Sequence, residues 1–250
     1  MSVRFPWPVA AALAALLLAW APSPAVAADS FTPDQHKELE AVIHDYLLKH
    51  PEVMIEVLQS AEDKLKSDAH EKAAQALTGR RKELLADPNS PVAGNPQGDV
   101  TVVEFFDYRC PYCKQVEPSL EALLTQDKNL RFVYKEFPVL GPASVTAARA
   151  ALAARKQGKY DAFHRAMMAL KGQIDEAAVM KVAASVGLDT ERLKRDMEAP
   201  EIGRTLKDNL ALARDLHIDG TPGFVIGDQI VPGAVELDTL KDMIADARKK

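Results

Sequence analysis

Residues 100–118 read VTVVEFFDYRCPYCKQVEP, and this stretch decides the fold. Val100 to Phe106 is a run of apolar and β-branched residues with the length and composition of a buried strand. Past Cys113 the spacing turns helical, with Val116, Leu120, Leu123 and Leu124 on one side. A strand therefore leads directly into a helix, and Cys110 falls at the helix N-terminus. Unpaired N–H groups and the helix macrodipole favour a thiolate there. Pro111 sits at the first helical position, where its missing N–H costs nothing.

A C-x-x-C pair can also be half of a zinc site or a local structural disulfide. The chain has only two cysteines and no His pair near them to complete four ligands, which argues against zinc. A disulfide closing so short a loop would constrain the unfolded chain little. The pair reads best as a redox dithiol.

Downstream, Leu130 to Phe137 (LRFVYKEF) is a second strand candidate. Pro142 to Asp219 reads as helical throughout, opening on the alanine-rich Ala143–Ala154 and punctuated by Gly158, Gly172 and Gly187. Gly220-Thr221-Pro222-Gly223 follows. Phe224-Val225-Ile226 and Gln229-Ile230-Val231, joined by Gly227-Asp228, form a hairpin pattern. Leu237 to Lys249 closes the chain as a helix.

Upstream, Asp87 to Asp99 is rich in proline and glycine and marks a domain boundary. Phe31 to Ala86 reads as helix almost throughout. Thr32, Pro33 and Gln35 form a capping box with proline in the first turn. Leu39, Val42, Ile43, Tyr46 and Leu47 share a face, His50-Pro51 breaks the pattern, and Met54, Val57, Leu58, Ala61 and Leu65 resume it. Such a segment is too poor in apolar surface to form its own core, and suggests an arm that associates with other copies. Residues 1–27 read as an export signal: Arg4 is the only charge, Trp7 to Trp20 is apolar, and Ala25-Val26-Ala27 is an A-x-A site cleaved after Ala27. Losing Arg4 takes the formal charge from -5 to -6. A mildly acidic chain without a basic cluster is a poor nucleic-acid binder. The expected domains are thus a signal peptide at 1–27, a helical arm at 28–87, and a catalytic domain at 88–250 with a helical insertion at about 142–219.

The order strand, C-x-x-C helix, strand, helical insertion, Thr-Pro, hairpin, helix resembles the thioredoxin fold with an inserted helical domain. This is the arrangement of DsbA-like thiol:disulfide oxidoreductases, and the resemblance covers roughly Asp99 to Lys250. With its preceding arm, CPYC motif and Thr-Pro, the chain looks most like the ScsC-like exported members, some of which trimerise through such an arm. The fold class is then α/β, thioredoxin-like, preceded by an N-terminal α-helical arm.

The resemblance implies roles for particular residues. Cys110 would attack as the thiolate and be the more exposed cysteine, and Cys113 would resolve the mixed disulfide. The intervening Tyr112 replaces the histidine of the DsbA archetype. Glu104 lies six residues before Cys110 in a strand apolar on both sides, where burial would raise its pKa; the family's matching glutamate relays the resolving cysteine's proton. Pro222 would be the cis-proline packed against the dithiol, with Thr221 offering backbone to an extended substrate. Pro118 matches the helix-kinking proline of thioredoxins. The six histidines, His164 and His217 among them, form no ligand cluster and read as surface or capping groups.

The function expected is disulfide interchange, as isomerase or oxidase, on cysteines of secreted or periplasmic proteins. It needs no cofactor and no metal. The expected partners are protein substrates, a membrane redox protein and further copies of the chain, as a trimer held by residues 28–86. The alternative is a periplasmic protein of copper tolerance whose two thiolates hold Cu(I), which soft ligands favour.

Overall fold

The computed structural model describes residues 31–249, so the expected signal segment 1–27 lies outside the described residues. Internal contacts divide the chain between Gln59 and Ser60.

The first unit holds helix α1 (Pro33–Lys49) and the start of α2 (Pro51–Gly79). α1 starts as its sequence dictates. Gln35 N–H donates to Thr32 Oγ1 at 3.3 Å and Thr32 N–H to Gln35 Oε1 at 2.8 Å, a reciprocal box that satisfies two otherwise orphan donors. Pro33 follows at the first turn. His50 ends the helix, its N–H donating to Tyr46 O at 2.9 Å. No residue of α1 is buried, and Leu39, Val42, Ile43, Tyr46 and Leu48 are all exposed.

The second unit, from Ser60, is built on a five-stranded sheet of order β1-β3-β2-β4-β5. β2 (Val100–Phe106) lies at its centre, parallel to β3 (Leu130–Glu136) and antiparallel to β4 (Gly223–Ile226). β5 (Gln229–Pro232) completes the hairpin at one edge. β1 (Val92–Gly94) pairs antiparallel with β3 at the other. The sequence does not announce β1, because three residues between Pro91 and Pro96 carry no periodicity and read as loop.

Strand alternation sorts the core into two faces. Val102 and Phe106 of β2, Phe132 and Tyr134 of β3, and Phe224 and Ile226 of β4 share one apolar cluster with α4 (Pro111–Gln126), the inserted helices and α10 (Leu237–Ala247). Val103, Phe105, Val133 and Val225 point the other way, onto Leu84 of α3 (Arg81–Leu85) and Leu212, Ala213, Leu216 and Ile218. The same period puts Lys135 on this second face. It is 1% exposed, with Nζ 2.7 Å from both Glu83 O and Ser90 Oγ and 3.3 Å from Asp87 Oδ2. A buried ammonium is tolerable only when so surrounded, and it ties β3 to the segment that enters the domain.

Between β3 and β4 run α5 (Pro142–Arg155), α6 (Tyr160–Ala169), α7 (Glu176–Ser185), α8 (Thr190–Met197) and α9 (Pro200–Asp215). α5 is the hub. Ala147, Ala148, Ala150, Ala151, Ala153 and Ala154 are all buried, and their small side chains let neighbouring helices approach from several sides. α6 buries Tyr160, Phe163, His164 and Met167, an i, i+3, i+4, i+7 face turned to the first apolar cluster.

Candidate active site

Cys110 is the N-cap of α4, with extended backbone, and no side chain caps the helix in its place. Both cysteines are free thiols. Cys110 is 4% exposed and Cys113 0%, so the first is the more accessible, though both are buried. The Thr221–Pro222 peptide bond is cis. It presents Thr221 O to the dithiol, and Cys110 Sγ donates to that carbonyl at 3.1 Å. Pro222 O in turn accepts from Gly233 N–H at 2.8 Å, bracing the loop against the end of the hairpin. Cys110, Cys113, Thr221 and Pro222 are thus gathered at one point from segments more than 100 residues apart.

Asp107, buried, fixes the approach to the dithiol. Its Oδ1 accepts from Arg109 N–H at 2.8 Å, and its Oδ2 accepts from Val139 and Leu140 N–H at 2.9 and 3.0 Å. Arg109 reaches back to Leu140 O. Tyr112, between the cysteines, is exposed. Pro118 lies inside α4.

Beneath the dithiol the alternation of β2 turns Glu104 to the face covered by α4. It is fully buried, and among the described residues neither carboxyl oxygen has a hydrogen-bond partner. Burial, with the nearby charges of Glu117, Glu136 and Cys110, holds its pKa well above the usual carboxylate range. Cys113 is pushed far up as well, first by burial and then by the Glu104 charge, against a backbone hydrogen bond from Asp107. A charge on Glu104 therefore disfavours the Cys113 thiolate.

Around Glu104 lies a polar cluster that the sequence reading did not assemble. Glu117 sits one turn after Cys113 on the buried side of α4. His164, expected at the surface or as a cap, is instead 0% exposed, with Nδ1 3.0 Å from Tyr108 Oη and Nε2 3.5 Å from Glu117 Oε1. Tyr160 and Tyr108 hydroxyls lie 2.8 and 3.3 Å from Glu136 Oε1. Tyr160 stacks on the His164 ring at 5.7 Å and 14°. Burial lifts Glu136 above its ordinary range, the two tyrosine hydrogen bonds opposing it. The sequence did hold a signal: Glu117 and His164 each occupy a core position of an amphipathic helix, and polar groups there require partners. His217, by contrast, is exposed with φ 53, just after α9.

A thioredoxin fold carrying a reduced C-x-x-C at a helix start, a cis-proline beside it and a buried acid below defines the class. Residues 101–245, more than half of the chain, match the DSBA-like thioredoxin domain, and the chain belongs to that family. Residues 35–66 match the copper resistance protein ScsC N-terminal domain. A thioredoxin-like oxidoreductase from Silicibacter pomeroyi is 54% identical, with 68% of this chain and 98% of that one aligned at a TM-score of 0.67. Proteus mirabilis ScsC in a transitional conformation is 32% identical over 88% of this chain and 98% of that one, at 0.65. The Na(+)/H(+) antiporter NhaA 1 of Salinispora arenicola is 29% identical over 182 residues, but the chain spans only 28% of its length. No helix among the described residues is long and apolar enough to cross a membrane.

Proposed function

We propose that this protein exchanges disulfides with cysteines of exported proteins, in the periplasm, through Cys110 and Cys113. One observation carries the reading: a fully buried carboxyl, Glu104, without a hydrogen-bond partner among the described residues, lies under a reduced dithiol, and its charge adds to burial in raising the second thiol. A structural role would leave such a group a pure cost, whereas a proton acceptor for Cys113 needs it there. Cys110 attacks a substrate disulfide as the thiolate, helped by the α4 N-terminus, and one substrate sulfur leaves. Cys113 loses its proton to the Glu104 carboxylate and attacks Cys110 Sγ. The Cys110–Cys113 bond forms, the mixed disulfide breaks, and the substrate thiolate departs to be protonated by solvent. Thr221 and Pro222 hold the substrate chain beside the dithiol. The same steps run backward oxidise a substrate dithiol.

The expected outcome is that Cys110→Ser abolishes exchange and that Cys113→Ser accumulates the mixed disulfide, read by mass spectrometry. Because Cys113 and Glu104 are both held protonated, the resolving rate should climb with pH. Glu104→Gln should slow it severalfold at neutral pH while leaving mixed-disulfide formation intact. A resolving rate insensitive to Glu104→Gln would sink the relay.

The exposed stripe Leu39, Val42, Ile43, Tyr46, Met54, Val57 and Leu58 supports a homotrimer held by residues 28–86. Each such side chain is worth about 1.5–3 kcal/mol when fully buried. A trimer would turn several dithiols toward one client, which suits isomerisation and would hinder reoxidation by a membrane redox partner. Light scattering of Val42→Asp/Ile43→Asp tests it: the expected product is a monomer that keeps simple dithiol exchange but no longer refolds scrambled disulfides. The match to a copper resistance N-terminal domain supports a second reading, Cu(I) held by the two thiolates. A reduced protein that takes up no Cu(I) in competition with a thiol chelator refutes it.

A further inference from the structure

We propose that Asp107 is a positioning residue for the dithiol: it ties the turn that ends in Cys110 to the β3–α5 loop, and by fixing Cys110 it tilts the thiol–disulfide equilibrium toward the reduced pair. This rests on the reading of Cys110 and Cys113 as an exchanging pair.

Asp107 is the first residue past β2. Phe137 N–H still donates to Phe106 O at 2.9 Å just beyond the end of β3, and there the two chains part. The turn Asp107–Cys110 and the loop Pro138–Gly141 then need other partners for their backbone groups. One residue serves both. Asp107 O accepts from Cys110 N–H at 3.0 Å, closing a four-residue turn. Inside that turn Asp107 Oδ1 accepts from Arg109 N–H at 2.8 Å. Oδ2 accepts from Val139 and Leu140 N–H of the loop at 2.9 and 3.0 Å. Arg109 adds a second strap, its guanidinium donating to Leu140 O. The fit is close enough to demand glycine next: Gly141 has φ 105, and a Cβ there would lie 3.3 Å from Arg109 Nη1. Asp107 is 2% exposed, and three amide donors on two oxygens are what a carboxylate so placed requires.

The turn ends on the sulfur that exchanges. Cys110 is the N-cap of α4, and Cys110 O accepts from Lys114 N–H at 3.3 Å. Its Sγ lies 3.1 Å from Thr221 O. As a thiol it donates to that carbonyl; as a thiolate it gains from the unpaired N–H groups and dipole of α4. Both gains belong to the reduced protein alone, because Cys110 Sγ bonded to Cys113 Sγ has neither proton nor charge. Each constraint that keeps Cys110 at this point therefore favours the dithiol over the disulfide, and makes the pair a stronger oxidant. The negative charge of Asp107 acts the other way, since it disfavours a thiolate nearby. Position and charge thus have opposite signs, and one equilibrium separates them.

The test equilibrates the full-length protein with mixtures of reduced and oxidised glutathione at pH 7 and counts alkylated thiols by mass spectrometry. A wild type that forms no disulfide in any mixture refutes the dithiol reading, and this proposal with it. Asp107→Ala removes both carboxyl oxygens, and its equilibrium should move at least threefold toward the disulfide. Asp107→Asn keeps one oxygen for Arg109 N–H but turns an amide nitrogen toward Val139 and Leu140, so it should fall between Asp107→Ala and wild type. If both variants move toward the dithiol, charge rather than position is what Asp107 contributes, and the proposal is overturned. A shift below threefold in Asp107→Ala overturns it too, even where the urea midpoint falls, which is all that a merely structural side chain would change. If Asp107→Ala does not fold, Asp107→Asn decides alone: a shift of at least twofold toward the disulfide upholds the positioning role, and anything less overturns it.

Discussion

α1 and β2 both carry apolar residues at regular spacing, yet one has no buried residue and the other has six of seven buried. The helix is specified from within. Its capping box, its first-turn proline and its Lys49–Asp45 pair at 2.8 Å all lie inside a single segment, so it needs no tertiary partner to know where to start and stop. β2 has no such local signals and takes its conformation from β3 and β4 on either side. Local and tertiary determination can thus be separated by mutation within one chain.

The largest expected contrast is Phe105→Ala against Val42→Ala. Phe105 is fully buried and meets Phe137 edge to face at 6.0 Å. Its truncation should cost about 3–5 kcal/mol in urea unfolding. Val42 is exposed, and its truncation should stay within about 0.5 kcal/mol at concentrations where the chain is monomeric. Equal losses would erase the distinction.

Glu104→Leu sharpens it from the other direction. Removing unpartnered polar atoms from β2 should stabilise the domain by about 1–3 kcal/mol at neutral pH while impairing resolution. Because burial raises the native value, the unfolded chain ionises Glu104 first as pH rises through about 4.3, and wild-type stability falls across that interval. The variant's advantage should therefore shrink toward acid pH. A pH-independent advantage would mean that Glu104 is not the titrating group.

The smallest effect is Thr32→Ala, which removes the side-chain half of the capping box. It should cost about 1 kcal/mol, confined to α1 and read as faster amide exchange in its first turn with no change in β2.

Much of this was legible beforehand. The strand–CPYC–helix unit, the hairpin, the helical run from Pro142 and the break at His50 follow from patterns a few residues long. The cis geometry at Pro222 and the burial of Glu104 were expected from the family resemblance and the strand's apolar flanks. β1 was not legible, since its only reason to be extended is β3, nearly 40 residues downstream. His164 was misjudged because its surroundings are assembled by folding α6 over the sheet. Tyr108 comes from the turn after β2, Glu117 from α4 and Tyr134 from β3, and only the position on the apolar face of α6 hinted at the outcome.

The sheet's two open margins have a consequence for a protein proposed to handle unfolded clients. Every exposed edge strand is a template on which a stray extended chain can polymerise. Here those margins are β1 and β5, three and four residues long, one preceded by Pro91 and the other closed by Pro232. Proline withholds the amide that a foreign strand would bind. The two longest strands, β2 and β3 with seven residues each, are flanked on both sides and out of reach. Any non-native chain held at the dithiol, as proposed above, would find almost nothing on this sheet from which to seed aggregation.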